Sequence, residues 1–289
     1  MISTGVVGSG RVPGPVPGRG PGGGVGGVAV LGTGSCLPSH VVGNEEVGAA
    51  AGVSAEWIWR KTGIRARRRV KADEATSDLA VAAGRAALEA AGVGAGQLSL
   101  VVVATSTPDQ PQPPTASTVA DLLGAGHGVA AFDVNAVCSG FVFALSVAER
   151  VLAGSDGSYA LVIGADVYSR ILNPADRRTA ILFGDGAGAV VLGPGRSGRG
   201  LLAGRLAGFG AERDLIEVPA GGSRLPASER TLAEGLHFFA MNGRGVREFV
   251  DATVTPAIDA FVGDAGFSMA DVDHFVPHQA NGRMLEDLS

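Results

Sequence analysis

The chain has almost no lysine. Lys61 and Lys71 are the only two in 289 residues, so arginine carries nearly all of the positive charge, while alanine, glycine and valine are abundant, as in a GC-rich coding sequence. A formal net charge of -5 leaves no basic excess, which argues against the general nucleic-acid binding that needs a positive face. Cys36 and Cys138 are the only cysteines, too few for a disulfide framework, as expected of a reduced, cytoplasmic protein. No stretch is apolar for long enough to span a bilayer. The first 27 residues carry only Arg11 and Arg19 as charges and lack the apolar core of a signal peptide. Dominated by glycine, proline and valine, they are expected to be disordered. His40, His127, His237 and His274 have no spacing that suggests a metal site and are read as structural or solvated.

What is present reads as alternating helices and buried strands. The length suits one large domain or two fused halves. Val28 to Gly32 forms a short apolar strand leading into a turn that contains Cys36, read as a packing residue. Thr76 to Ala91 has helical periodicity, with Asp78 near its start and Gly92 at its end. Leu98 to Thr105 and Tyr159 to Gly164 are apolar throughout, as strands buried on both faces are, and their alternation with helices predicts a parallel sheet. A helix over Ala116 to Leu123 follows the proline-rich loop Pro108 to Pro114.

The organising stretch is Phe132 to Phe141. It reads as strand, sharp turn, cysteine, helix, with helical spacing from Phe141 to Leu152. Cys138 then sits at a helix N-terminus, where unpaired N–H groups and the helix dipole favour the thiolate that attacks carbonyl carbon. An arbitrary cysteine would be read as a packing residue instead.

Three other stretches carry chemistry. Glu56 to Arg69 holds both tryptophans and the densest positive charge, which suits a nucleotide whose base stacks on indole while arginines meet phosphate; it also fits a solvated basic loop with one buried tryptophan. Ile181 to Gly188 is a glycine-rich turn before the strand Ala189 to Leu192. It lacks the strand-to-long-helix setting of a phosphate cradle, so close backbone packing is the expectation. Past the polar linker Pro194 to Gly200 the pattern restarts: a strand over Leu201 to Gly208, a helix over Asn242 to Gly263, and a strand over Asp273 to Pro277. That last strand leads into His278-Gln279-Ala280-Asn281, which puts His278 where ligands bind in open α/β sheets.

Taken in order, Glu56-Trp57-Ile58 with Thr62-Gly63-Ile64-Arg65, the Asp133 to Phe141 stretch, Phe183-Gly184-Asp185-Gly186-Ala187-Gly188, and Val276-Pro277-His278-Gln279-Ala280-Asn281 resemble the β-ketoacyl-acyl-carrier-protein synthase III family of the thiolase superfamily. The resemblance runs from about Val28 to the last residue. It implies an α/β, thiolase-like duplicated five-layer αβαβα fold, with halves at 28–195 and 196–289. It implies Cys138 as the acylated nucleophile and His278 as the catalytic histidine. Coenzyme A would be held by Trp57 and Arg177, sandwiching its adenine, together with Lys61 and Arg65. Lys61 stands where the family often has arginine and keeps a point charge without the planar fork. Gln112 would help shape the acyl pocket, admitting a chain longer or more branched than acetyl, and Asn281 would support the site.

The implied chemistry is acyl-coenzyme A-primed decarboxylative Claisen condensation with malonyl-acyl-carrier protein, for fatty-acid initiation or a polyketide starter step. No cofactor is implied beyond the acyl-coenzyme A substrate, and a homodimer is. The family pattern continues past the histidine motif to an asparagine in a Gly-Asn-Thr-like turn, final strands and a glycine-rich loop. None of these is in the sequence, so the second half is expected to be incomplete and the chain truncated, catalytically impaired or poorly folded. Two further readings are acyl transfer from Cys138 to a hydroxyl or amine of a small natural product, and a non-catalytic partner subunit.

Overall fold

The computed structural model describes residues 27–153, 157–195, 199–283 and 285. Most of the N-terminal glycine- and proline-rich segment and the middle of the expected linker lie outside these residues. The chain opens with β1 (Val28–Cys36), β2 (His40–Gly43), α1 (Asn44–Ala51), α2 (Ala55–Thr62) and β3 (Ala66–Arg69). It continues through α3 (Thr76–Ala91), β4 (Leu98–Ala104), α4 (Thr115–Leu123), β5 (Ala130–Val134), α5 (Gly140–Leu152), β6 (Tyr159–Val167) and β7 (Asp185–Pro194).

Five strands form one sheet in the order β1-β7-β6-β4-β5. Three adjacent strands, β6, β4 and the edge strand β5, are parallel, whereas β7 and β1 run antiparallel to their neighbours. The sheet is therefore mixed rather than parallel. The reason lies in the connection: a parallel return needs a helical crossover, and between β6 and β7 the chain makes only a short 3-10 turn, Tyr168–Arg170, and loops.

Helices cover both faces. Leu98, Val101 and Val103 of β4 pack toward α3 and α4, while Leu100, Val102 and Ala104 pack toward α5. This alternation is the strand period of two, and burial on both faces explains the unbroken apolar run. Helix α5 meets the sheet through Gly140, Ala144, Ala148 and Leu152, a row at i, i+4 spacing in which three small residues bring the helix axis close. On the other face α3 lies so near β1 that a Cβ on Gly34 would run into the α3 backbone at Ala83 and Ala87.

Beyond β7 the described chain contains β8 (Ile216–Glu217), α6 (Glu229–Ala233), β9 (Ala240–Met241), α7 (Gly243–Phe249) and α8 (Thr255–Asp264). A π-helical turn, Val250–Val254, joins α7 to α8, so the expected helix over Asn242 to Gly263 is present with a local underwinding. Asn242 caps it by accepting the N–H of Gly245. The strands expected over Leu201 to Gly208 and Asp273 to Pro277 are not there. An extended segment becomes a strand only when a neighbour takes its N–H and C=O groups, and no described strand lies beside either one. Phe239 anchors this half to the first: its N–H donates to the carbonyl of Ile171, and its ring packs edge-on against Tyr168 and Phe183.

Candidate active site

Three loops leave the carboxyl ends of β4, β5 and β6, and the first of them is tied to Asp166 near the end of β6. After β5 the chain turns sharply. The N–H of Val137 is taken by the Asn135 side chain, and Val137 itself is held at φ 48°, a left-handed conformation that a β-branched residue enters only under strain. A single 3-10 turn, Val137–Ser139, carries Cys138 and runs directly into α5. The sharp turn, cysteine and helix expected from the sequence are all present, and Cys138 is open to solvent. Asp133, the anchor of this strand, accepts the N–H groups of Thr115 and Ala116 and so caps α4.

Burial pushes the Cys138 thiol up; its own backbone N–H pulls the other way, and the negative charge of Asp166 raises it further.

Asp166, near the end of β6, is a residue that sequence reasoning missed; the one available signal was an acidic residue just past a buried strand. Its Oδ1 accepts four hydrogen bonds from the loop after β4: Ser106 N at 2.8 Å, Ser106 Oγ at 3.2 Å, Thr105 Oγ1 at 3.2 Å and Thr107 Oγ1 at 3.1 Å. Burial raises the Asp166 carboxyl above the usual range, with these bonds opposing it. The Tyr168 hydroxyl lies 3.1 Å from Ser106 Oγ, and burial pushes it up to about 12. The Tyr168 ring stacks on Phe183 at 5.0 Å.

His278 lies in the loop after Pro277 and is exposed; partial desolvation lowers its imidazole below the ordinary value, with the Asp166 charge acting in the opposite sense. Asn281 is turned to local use: its Oδ1 accepts the N–H of Arg283, capping the short turn that follows. The next residue, Gly282, packs against the end of α2, where a Cβ would lie 3.0 Å from the carbonyl of Thr62. The histidine loop therefore docks on the helix that carries Trp57 and Lys61.

Helix α2, capped by Ser54, lines an open recess of about 350 Å³ with Trp57, Arg60 and Lys61. Trp57 is half-buried and packs on the cluster of Val42, Val47, Ile58 and Ile181. Ile181 of that cluster follows the loop that carries Arg177, which is exposed and has no hydrogen bond or ion pair among the described residues. Arg65 is occupied elsewhere, its guanidinium 4.4 Å from the centre of the Trp59 ring. Gln112 is exposed on the loop before α4 and is not brought to Cys138 by any contact among the described residues.

Ile181 to Gly184 of the glycine-rich stretch precede β7, and Asp185 to Gly188 form its start. At Gly184 a Cβ would meet the carbonyl of Arg68 at 2.8 Å, and buried Asp185 accepts from Val70 N, Ser169 N and Ser169 Oγ. Close backbone packing, and not a phosphate cradle, is what these residues do. Cys36 ends β1 rather than sitting in a turn; it packs on the core, and burial raises its thiol.

A mixed sheet between helices, with a cysteine at a strand-to-helix turn, is the arrangement of the thiolase-like α/β proteins. The structure superimposes on 3-oxoacyl-(acyl carrier protein) synthase III from Pseudomonas aeruginosa PAO1 with a TM-score of 0.80 at 37% identity, covering 91% of this chain and 78% of that one. The sequence profile of 3-oxoacyl-[acyl-carrier-protein (ACP)] synthase III matches residues 132–208. The chain is 59% identical over 261 residues to an acetoacetyl CoA synthase from Streptomyces sp. strain CL190, covering 90% of this chain and 79% of that relative. It is 44% identical over 259 residues to a β-ketoacyl-[acyl-carrier-protein] synthase III from Syntrophomonas wolfei, covering 90% and 78%. The chain belongs to the β-ketoacyl-acyl-carrier-protein synthase III family and is an acyltransferase of the condensing type.

Proposed function

We propose that the protein condenses an acyl group, taken from acyl-coenzyme A, with malonyl-acyl-carrier protein through an acyl-Cys138 intermediate. The observation that supports this reading is Cys138, open to solvent at the sharp turn from β5 into α5, at the carboxyl edge of the parallel strands. His278 takes the proton as Cys138 Sγ attacks the thioester carbon and returns it to the departing coenzyme A sulfur. Malonyl thioester then loses carbon dioxide. The enolate carbon attacks the acyl-cysteine, and the Cys138 sulfur leaves. Donors on the enolate oxygen, His278 among them, stabilise its charge.

In this reading coenzyme A lies along the recess of α2, its adenine between Trp57 and Arg177 and its phosphates toward Lys61, with Arg65 contributing once it leaves Trp59. Gln112 helps set acyl-chain length, Asn281 holds the histidine loop in place, and the protein acts as a cytoplasmic homodimer. The outer edge of β5, unpaired among the described residues, is compatible with pairing to a second copy.

A second reading concerns the acceptor. The relative from Streptomyces is named for acetoacetyl-coenzyme A, which favours acetyl as the acyl group and malonyl-coenzyme A as the extender. One experiment separates them. The protein is incubated with acetyl- or isobutyryl-coenzyme A and intact mass is measured, with Cys138→Ala as control; malonyl-acyl-carrier protein or malonyl-coenzyme A is then added. Acyl mass on Cys138 followed by ketoacyl-carrier protein supports the first reading, and acetoacetyl-coenzyme A supports the second. Absence of acylation at Cys138 overturns both.

A further inference from the structure

One cation on the recess of α2 has no task in the coenzyme A reading. Trp57, Arg60 and Lys61 stand at i, i+3 and i+4, which puts them on one side of the helix, and these three line the recess. Trp59 lies about 200° around the helix from Trp57. It holds Arg65, whose guanidinium is 4.4 Å from its ring centre, and neither of the two lines the recess.

Arg60 is exposed and makes no hydrogen bond or ion pair among the described residues. An acidic partner was available, because Glu56 precedes it by four residues, the spacing and order that favour a helical ion pair. Such pairs do form at four-residue spacing in the chain, between Arg230 and Glu234 and between Arg244 and Glu248. Arg60 forms none, so its guanidinium stays open to a ligand.

The neighbouring position indicates which ligand. Lys61 meets phosphate as a point charge; Arg60, one residue earlier on the same recess, supplies the planar fork that a lysine lacks. Phosphate groups offer paired oxygens, which a guanidinium meets with two parallel N–H donors. Two cations in the last turn of α2 also suit the helix dipole, but that role asks for neither a fork nor an indole on the same face. The same dipole gives the backbone no attraction for an anion here, so the side chains must provide it.

We propose that Arg60 is a specificity-determining residue: together with Lys61 it binds a phosphate of the donor's nucleotide, and so favours thioesters of coenzyme A over the same thioesters on pantetheine alone. Arg65 contributes less, because leaving Trp59 forfeits a cation–π contact, a penalty of about two- to fivefold in affinity. This inference rests on the reading of the recess as the coenzyme A site and is independent of the chemistry at Cys138.

The test is titration calorimetry of free coenzyme A into the protein and three variants. Arg60→Ala should weaken binding about three- to tenfold, as for an exposed charge-assisted contact, with the melting temperature unchanged. Arg60→Lys should recover only part of the loss, since it restores the charge without the fork. Arg65→Ala should lose less than Arg60→Ala. Acylation of Cys138 by acetyl-pantetheine, followed by intact mass, should proceed equally in Arg60→Ala and the unsubstituted protein. Coenzyme A binding by Arg60→Ala within a factor of about two of the unsubstituted protein overturns the proposal, and so does a loss with acetyl-pantetheine as large as that with coenzyme A. Absence of any coenzyme A binding to the unsubstituted protein sinks the reading of the recess and this inference with it. If binding responds to Arg60→Ala while acyl-coenzyme A leaves Cys138 unlabelled, the condensation reading falls and the role of Arg60 stands.

Discussion

The carboxylate of Asp133 accepts the backbone N–H of Thr115 at 2.7 Å and that of Ala116 at 2.8 Å, tying the strand that delivers Cys138 to the first turn of α4. A charged acceptor at a helix N-terminus satisfies orphan donors and meets the positive end of the dipole. Asp133→Ala is expected to lower stability by about 1–2 kcal/mol in urea unfolding. It should also slow acylation, because β5 leads within four residues to the nucleophile.

At Gly184 the issue is space. A methyl group there would sit 2.8 Å from the carbonyl of Arg68, and backbone has little room to give. Gly184→Ala should cost about 1–3 kcal/mol, read as a lowered urea midpoint with an unchanged slope.

Val137 stores strain next to the nucleophile. At φ 48°, with its side chain 44% exposed, it gives up little burial when replaced. Val137→Gly is therefore expected to raise stability by about 1 kcal/mol, and to slow acylation of Cys138 as the turn loosens. A loss of stability would mean that the side chain contributes packing this account omits.

His278 gives the pH dependence its sign. Its folded value is depressed, by burial first, with the Asp166 charge opposing, so folding favours the neutral ring. That contribution is fully present above the unfolded value of 6.5 and is lost as pH falls through the folded one. Replacing His278 with Gln should flatten the decline in melting temperature on the acid side of pH 6.5. Asp166, raised by burial, acts oppositely: its ionisation is disfavoured by folding, so its contribution is fully present below 3.8 and is lost as pH rises through its folded value.

Arg177 offers a clean separation of binding from folding. Exposed and without a partner among the described residues, it should leave the melting temperature unchanged when replaced by Ala. The KM for acyl-coenzyme A should rise about three- to tenfold with kcat preserved, as for a lost cation–π contact.

Much of the first half was legible because its signals are local. The α3 boundaries follow from periodicity and the glycine stop, and β4 from an apolar run that a two-faced core demands. The Cys138 turn was legible for the same reason. The hairpin of β2 and β3 was not: Arg67, Arg68 and Arg69 look like a solvated loop, yet Arg67 is 5% exposed, with its guanidinium spent on Asn44 and the carbonyl of Ile181. Burial of a cation depends on partners distant in sequence. The start of β7 was hidden for another reason, since Gly-Ala alternation carries almost no strand propensity and forms a strand only because β1 and β6 flank it. Asp166 was missed because its meaning comes from three hydroxyl residues about sixty positions earlier.

The pairing of β1 with β7 joins Val28 to Pro194 and Cys36 to Ala187, and this has a consequence for synthesis on the ribosome. The first strand to emerge cannot find its partner until nearly the whole first half has been translated. Until then its glycine-spaced edge waits unpaired, and the core of α3 against β1 cannot close. Folding of this half is thus gated by the arrival of Asp185 to Pro194, so a ribosome stalled before those codons would present a nascent chain with an open sheet, a ready target for holding chaperones.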